Sequence, residues 1–84
     1  MTEGQAIRIV RVIRGFSQAE VAELAGVQAA TLCRIESGQR TARRSTVEKL
    51  AGAMGVRVMQ ILVMEQMSSD EILERIIWQQ GSRL

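Results

Sequence analysis

The sequence predicts an all-α protein, a compact domain of six short helices, on two observations. The first is composition: the 84-residue chain has seven glycines, no proline and 46% apolar residues, but only one phenylalanine and one tryptophan. This composition suits short helices better than a sheet. The second is that glycines end apolar segments that have helical spacing. These glycines are Gly15, Gly26, Gly38, Gly55 and Gly81.

These signals predict helices near residues 4–14, 18–25, 28–37, 46–54, 58–67 and 70–80. Three of the helix starts carry the pattern of a capping box, in which a serine hydroxyl and the glutamate three residues later bond each other's amides. The pairs are Ser17 with Glu20, Ser45 with Glu48, and Ser68 with Glu71. Phe16 precedes the first of these caps, where a hydrophobic staple to Val21 would form.

Residues 18–37 form the pattern of two short helices joined by a tight turn, the unit that places a helix in the major groove of DNA. Gly26 would take the left-handed conformation that ends the first helix. Ala22 is expected at the closest crossing, where a larger side chain should clash. The apolar residues expected to face one another across the turn are Val21, Ala22, Leu24, Ala25, Val27, Leu32 and Ile35. The outward positions of the second helix are Gln28, Ala29, Ala30, Thr31, Cys33 and Arg34.

Three motifs follow one another within residues 4–63: IRIVRVIRGFSQAEVAELAGV, ATLCRIESGQR and STVEKLAGAMGV. In order and spacing they resemble the phage-repressor and Cro-like helix-turn-helix regulators, also called the xenobiotic-response-element family. The resemblance implies a compact five-helix repressor-like DNA-binding domain over residues 1–67, with residues 68–84 adding a sixth, C-terminal helix to the same domain. Gln28 and Arg57 depart from the family pattern, which usually has a serine, threonine or aspartate cap at these two helix starts.

The charges are unevenly distributed along the chain. Residues 1–57 hold nine arginine or lysine residues against five acidic ones, whereas residues 58–84 hold two against four. Neutralisation of phosphates supplies much of a protein's affinity for DNA, so this polarity fits a DNA-facing part and a DNA-averted part. For charge alone, a solvated basic surface is the alternative.

Composition also disfavours several classes of function. No segment approaches the roughly 20 apolar residues of a membrane span and no signal peptide opens the chain, so a cytoplasmic protein without a membrane partner is expected. One cysteine cannot build an internal disulfide framework, and the lack of histidine argues against a zinc site or His-based catalysis. There is no acid pair at recognisable spacing and no glycine-rich phosphate loop. We therefore expect neither an enzyme nor a cofactor or metal.

The outward face of the second helix of this unit is predicted to contact DNA bases. Gln28 can pair in a bidentate way with adenine, and Arg34 can reach guanine or a nearby phosphate. Ala29 or Ala30 can contact a thymine methyl group. Cys33 lies one turn further along, where its sulfur could contact a thymine methyl group or leave room for the base. A redox-sensing thiol is the alternative, with Arg34 as its one obvious activator and no resolving cysteine in the chain.

The irregular segment SGQRTARRS, residues 37–45, carries three arginines that we expect to bind phosphates. In the resembling family the loop after the recognition helix runs along the sugar-phosphate backbone, and these arginines match that position. Such contacts fix the register of the protein on DNA without reading sequence. Gln18 is expected to add a contact because a helix N-terminus carries a partial positive charge, although it could simply be an exposed helix-start residue. The predicted phosphate-contacting residues are Gln18, Thr31, Ser37, Arg40, Arg43 and Arg44.

The resemblance also implies an ion pair between Arg11 and Glu36, because the family commonly joins an arginine of the first helix to the glutamate of the IExG segment. We interpret this pair as structural, so that loss of either residue should destabilise the fold. Glu20 and Glu23 lie on the second helix, where some family members present acidic residues to RNA polymerase. Capping and solvation explain these two residues more simply.

Several apolar residues are left over once the core positions are assigned. The first helix carries Ile9, Val12 and Ile13 in addition to its inward residues, Ile7 and Val10. The sixth helix offers an apolar stripe of its own, made of Ile72, Leu73, Ile76 and Ile77 beside Trp78. We expect helices 5 and 6 to form a homodimer, and the alternative is that helix 6 packs on helix 1 of its own chain. The predicted dimerisation residues are Met59, Val63, Met64, Met67, Ile72 and Ile76.

These features predict a sequence-specific DNA-binding transcriptional regulator, in the first instance a repressor that binds an inverted-repeat operator as a homodimer. Two recognition helices related by a two-fold axis would enter successive major grooves about 34 Å apart. Double-stranded DNA is the predicted partner, and an activator would also contact RNA polymerase. One alternative is the antitoxin of a toxin–antitoxin pair, which would bind a toxin protein. Another is the controller protein of a restriction–modification system.

Overall fold

The computed structural model describes residues 1–67 and 70–71, and this part of the chain contains five α-helices and no strand. The predicted all-α class and five-helix domain are confirmed. The predicted sixth helix, its capping pair Ser68 and Glu71, and Gly81 lie outside the described residues except for positions 70 and 71. The helices are α1 (Glu3–Ile13), α2 (Gln18–Ala25), α3 (Ala29–Glu36), α4 (Arg44–Met54) and α5 (Val58–Gln66).

One hydrophobic core holds the five helices together. In the packing, α1 contacts α3 and α5, while α2 contacts α3 and α4. Burial of each large aliphatic side chain contributes about 1.5–3 kcal/mol to stability. Leu32 and Ile35 of α3 belong to this core, so the core holds one side of α3 and the opposite side faces solvent. The core residues are Ala6, Ile7, Val10, Val21, Ala22, Leu32, Ile35, Val47, Leu50, Ala51, Met54 and Ile61.

Capping boxes start both α1 and α2. The Ser17 hydroxyl accepts from the Glu20 amide at 3.1 Å, and the Glu20 carboxylate accepts from the Ser17 amide at 3.0 Å, as predicted. Thr2 and Gln5 make the same two bonds at 3.1 and 3.0 Å. This second box was not predicted, because it uses threonine and glutamine instead of serine and glutamate. Helix α1 begins at Glu3 rather than near residue 4.

Two predicted details of the helices are wrong. The fourth helix begins at Arg44, so Ser45 lies inside its first turn and Arg43 occupies the cap position without a side-chain cap bond. Glu48 instead lies 3.6 Å from the Arg44 guanidinium group, as an exposed pair one turn apart. Leu24 was expected to face α3 but is 63% exposed. The buried face of this two-turn helix is formed by the smaller side chains of Val21 and Ala22, and Leu24 lies outside it.

Three contacts of α1 with backbone atoms were not predicted. A Cβ atom on Gly4 would collide with the carbonyl oxygen of Ile35, so the backbones of α1 and α3 approach closely at this glycine. The Arg14 guanidinium group donates to the Met54 carbonyl at 3.1 Å, and the Met1 amino group donates to the Glu65 carbonyl at 3.1 Å. The Met1 contact joins the start of α1 to the end of α5, and the Arg14 contact joins the end of α1 to the last residue of α4.

The start of α5 lacks a conventional cap, as expected from Arg57. The Gln60 side chain compensates in part, because its carbonyl oxygen accepts from the Arg57 amide at 2.8 Å. None of the described helices is long and apolar enough to cross a membrane.

Candidate nucleic-acid interface

The turn between α2 and α3 sets the direction in which α3 leaves the core. Gly26 takes the left-handed conformation, with φ 71° and ψ 31°, which costs a side-chain-bearing residue roughly 1 kcal/mol. Its amide bonds to the Glu23 carbonyl at 3.2 Å, and the Val27 amide bonds to the Ala22 carbonyl at 3.0 Å. This is the Schellman arrangement that ends a helix. The predicted helix-turn-helix unit is therefore present, with Ala22 buried at its centre.

Helix α3 has a buried side and an exposed side. Leu32, Ile35 and Glu36 are buried, while Thr31 is half-buried at the border between the two sides. The Gln28 side chain makes no cap hydrogen bond, so its carboxamide is available to a ligand. The sequence-predicted base-contacting residues are all exposed, and none is acidic: Gln28, Ala29, Ala30, Cys33 and Arg34.

The buried Glu36 anchors the end of α3 to α1. Its two carboxylate oxygens accept from Arg11 Nε at 2.8 Å and Nη2 at 2.9 Å, in the bidentate geometry that favours arginine. The Arg11 side chain is 11% exposed and the Glu36 side chain is 3% exposed. The third guanidinium nitrogen donates to the Phe16 carbonyl at 2.8 Å. The predicted ion pair is present, and its hydrogen bonds to Glu36 raise the pKa of Arg11.

Gln18, a predicted phosphate-contacting residue, joins this cluster. Its Nε2 donates to a Glu36 carboxylate oxygen at 3.1 Å, and the residue is half-buried. One N–H of the carboxamide is therefore used inside the protein. Gln18 is also the first residue of α2, so its backbone amide lies at the helix end that favours anions.

The predicted phosphate-contacting residues after α3 are arranged around the start of α4. Arg40 and Arg43 are exposed in the connecting segment, and Arg44 is the first residue of α4. The Ser37 hydroxyl donates to the Arg34 carbonyl at 3.1 Å, which helps to end α3. An exposed ion pair such as Arg44 with Glu48 contributes little to stability, so it leaves the Arg44 guanidinium free to exchange partners.

A groove of about 530 Å³ lies between α3 and the first turns of α4. Thr31 and Ile35 line its α3 side, Arg40 and Arg43 line it from the connecting segment, and Lys49 lines its α4 side. Lys49 was not predicted as a site residue, because helical periodicity alone does not show which exposed residues of α4 lie beside α3. The only sequence signal for Lys49 as a site residue was its position five residues after the Arg43 and Arg44 pair.

Exposed apolar residues also lie on α1 and on α5. Val12 and Ile13 near the end of α1 are 60% and 52% exposed, and Met59 and Val63 on α5 are 65% and 50% exposed. Helices α1 and α5 pack against each other. Of the other predicted dimerisation residues, Met64 and Met67 are half-buried, and Ile72 and Ile76 lie outside the described residues.

Together, the helix-turn-helix unit, the exposed face of α3 and the arginine-rich segment beside it define the class of DNA-binding helix-turn-helix proteins. A helix-turn-helix family model matches residues 7–61, more than half of the chain. The chain belongs to the phage-repressor and Cro-like family of helix-turn-helix transcriptional regulators, as the sequence motifs indicated.

Relatives support this assignment. The immunity repressor protein of Bacillus phage phi105 is 35% identical over 74 residues, which cover 88% of this chain and 51% of that protein. The chain thus spans about half the length of this relative. The restriction-modification controller protein C.AhdI from Aeromonas hydrophila is similar in structure, with a TM-score of 0.68, 30% identity, and coverage of 70% of this chain and 89% of that one. A hypothetical transcription factor, NHTF, from Neisseria also has a TM-score of 0.68, with 29% identity and coverage of 86% and 78%.

Proposed function

We propose that this protein is a transcriptional repressor that binds an inverted-repeat operator as a homodimer, with α3 in the major groove. The observation that carries the proposal is the outward face of α3, which is free of acidic residues and is fixed in orientation by the buried Glu36. A recognition helix must hold its side chains in register with base edges. An anchored helix with small and polar outward residues meets that requirement.

Within this proposal, two exposed residues read the sequence most directly. Gln28 pairs with an adenine through its carboxamide, and Arg34 pairs with a guanine or a nearby phosphate. Ala29, Ala30 and Cys33 lie close to the base edges, where their small apolar groups contact thymine methyl groups. Each good bidentate pair discriminates against a wrong base by about 1–3 kcal/mol.

Contacts with phosphates set the position of the protein on the duplex. Arg40, Arg43 and Arg44 bind the backbone beside α3, supported by their exposure and by the absence of a buried partner among the described residues. Gln18 contributes its backbone amide and its second carboxamide N–H. Thr31 and Ser37 add hydroxyl groups at the border of the same face.

Dimerisation uses the apolar surface of α5, with Met64, Met67, Ile72 and Ile76 as the further residues predicted from the sequence. Met59 and Val63 are 65% and 50% exposed although they are apolar, and burial against a second subunit would contribute about 25 cal/mol per Å² of apolar area removed from water. Neither residue lies on the proposed DNA-contacting helices. A homodimer formed through this surface would carry two copies of α3, as an inverted-repeat operator requires.

The sign of regulation and a second candidate role come from the relatives. The phage phi105 relative is named as an immunity repressor, which favours repression here. The structural similarity to C.AhdI favours, as a second candidate, a controller protein of a restriction–modification system. Both roles need the same DNA-binding dimer, and they differ in the genes that the operator controls.

Selection of bound duplexes from a random DNA library by the purified protein tests DNA reading directly. The expected result is a two-fold symmetric motif with half-sites about one helical turn apart. A Gln28→Ala variant should relax the preference at one position of each half-site, whereas Arg43→Gln should weaken all sequences alike. Binding without enrichment of any motif would contradict the proposal.

A paired substitution on α5 tests the dimer. Met59→Asp with Val63→Asp places two charges on the exposed apolar surface, so sedimentation should show a folded monomer. Leu24→Asp is the matched control, because Leu24 is equally exposed but lies on α2, and it should leave the oligomeric state unchanged. A dimer that survives the paired α5 substitution would exclude this surface as the interface.

A further inference from the structure

The groove between α3 and α4 collects positive charge and hydroxyl groups. Three cationic side chains line it, from Arg40, Arg43 and Lys49, and no acidic residue does. Four hydroxyl groups complete the polar lining: those of Thr31, Thr41, Ser45 and Thr46. Cations that converge with hydroxyl donors form the environment that phosphate oxygens favour.

The three cations have no counter-charge within the part of the chain that the structure describes. The two ion pairs found there are Arg11 with Glu36 and Arg44 with Glu48, and neither includes a cation of the groove. Like charges held around one groove repel one another, so an anion between them would relieve the repulsion as well as gain hydrogen bonds.

The position of the groove indicates which anion it takes. Thr31 lines the groove and lies on α3 between the buried side and the exposed side that carries Ala30 and Arg34. If α3 lies in a major groove about 12 Å wide, one DNA strand must pass along the flank of the helix. The flank that carries Thr31 is the one that opens into this groove.

We propose that the groove binds a backbone phosphate of the DNA duplex, with Lys49 and Thr46 of α4 as ligands beside Arg40 and Arg43. This inference rests on the proposed DNA-binding function and extends the interface along α4, beyond its first residue, Arg44. Lys49 supplies a positive charge, and Thr46 supplies a hydroxyl donor. The contact is independent of sequence, because it involves the backbone alone.

Salt dependence of DNA binding measures the contribution of Lys49. Each neutralised phosphate adds about −0.9 to the slope of log affinity against log salt concentration. Arg40, Arg43 and Lys49 share the groove phosphate and Arg44 binds a second one, so the dimer neutralises about four phosphates and should show a slope of about −3.6. Lys49→Gln leaves the groove phosphate only partly neutralised, so it should weaken binding and reduce the magnitude of the slope by at most about 1.8. Thr46→Val, which preserves shape, should weaken binding while leaving the slope unchanged. Both variants should select the same DNA motif as the original protein.

Arg57→Gln is the matched control, because Arg57 is an exposed cation at the start of α5 outside the groove. It should leave the salt slope unchanged. If the original protein binds its operator and Lys49→Gln retains the full slope and affinity, the phosphate site is refuted while the proposed function stands. If the original protein does not bind DNA at all, the proposed function itself fails.

A free phosphate ion offers the same oxygen atoms as a DNA phosphate, so a titration with inorganic phosphate distinguishes these two ligands. Inorganic phosphate is titrated at constant ionic strength while the NMR chemical shift of the Thr46 amide is monitored. We expect no saturable binding, because the open groove holds a phosphate only when the rest of the duplex is bound. Saturable binding that Lys49→Gln abolishes, with an unchanged DNA slope, would assign the groove to a free anion and overturn the proposal.

Discussion

Replacement of Arg11 with alanine should destabilise the fold far more than a surface substitution would. The change leaves the Glu36 carboxylate, which is 3% exposed, with one hydrogen bond from Gln18 and without a counter-charge. Removal of one partner from a buried ion pair typically costs about 3–5 kcal/mol. A domain of this length has a stability of about 4–13 kcal/mol at ~0.05–0.15 kcal/mol per residue. The loss is therefore a large part of the total.

Thermal and urea unfolding, followed by circular dichroism, measure this loss. For a small domain each kcal/mol shifts Tm by about 4–8 °C, so Arg11→Ala should lower Tm by more than about 12 °C. Arg8→Ala is the matched control, because Arg8 is an exposed arginine of the same helix and should change Tm little. DNA affinity is then measured at a temperature at which every variant is folded.

A double substitution distinguishes the effect of an unpaired buried charge on Tm from the effect of lost side-chain packing. Arg11→Met combined with Glu36→Met removes both charges, so this variant should unfold at a higher temperature than Arg11→Ala. A structural role for Arg11 is refuted if Arg11→Ala keeps the original Tm and loses only DNA affinity. That result would move Arg11 from the fold to the DNA interface.

Two further predictions concern the helices themselves. Gly4→Ala should destabilise the protein by about 1–3 kcal/mol, because the new methyl group would collide with the Ile35 carbonyl. Gly52→Ala should instead stabilise α4 by about 0.5–1 kcal/mol, because the new methyl group meets nothing within 4 Å. The capping hydrogen bond from the Ser17 amide is the main cause of the lowered pKa of Glu20. Its stabilising effect is therefore present above the ordinary carboxyl pKa and is lost as pH falls through the lowered value, so the stability difference between the original protein and Glu20→Gln should shrink below about pH 4.

Urea unfolding checks both predictions. Equal effects of the two glycine substitutions would show that the backbones of α1 and α3 do not meet at Gly4. A stability difference for Glu20→Gln that stays constant from pH 7 to about pH 3 would show that ionisation of Glu20 does not support the cap.

Features of the fold that depend on neighbouring residues could be predicted from the sequence. The Ser17 cap and the Gly26 turn are set within a few residues, and both are present as predicted. The start of α4 was misplaced because no side chain caps it, so tertiary packing rather than a local signal decides where it begins. The exposure of Leu24 was missed for a related reason, since the inward face of a helix of two turns is poorly defined by spacing alone.

Contacts between distant segments could not be predicted from pattern. Gly4 has no unusual local conformation, and its role appears only when α3 lies against α1. The bond from Arg14 to the Met54 carbonyl joins residues forty positions apart. In the candidate site, periodicity identified the exposed face of α3. It did not identify the groove that includes Lys49, because that groove exists only where α3 and α4 meet.

The cluster around Glu36 holds α3 in a fixed orientation and also neutralises an acidic residue that lies close to the proposed DNA interface. A free carboxylate at the end of α3 would repel the phosphates that the neighbouring arginines are proposed to bind. Burial and the bidentate bonds from Arg11 neutralise that charge, and the same carboxylate also accepts from Gln18 at the start of α2. Three helices therefore meet at one side chain. The orientation of α3 and the electrostatics of the proposed interface consequently depend on the same two residues, Arg11 and Glu36, neither of which needs to touch DNA.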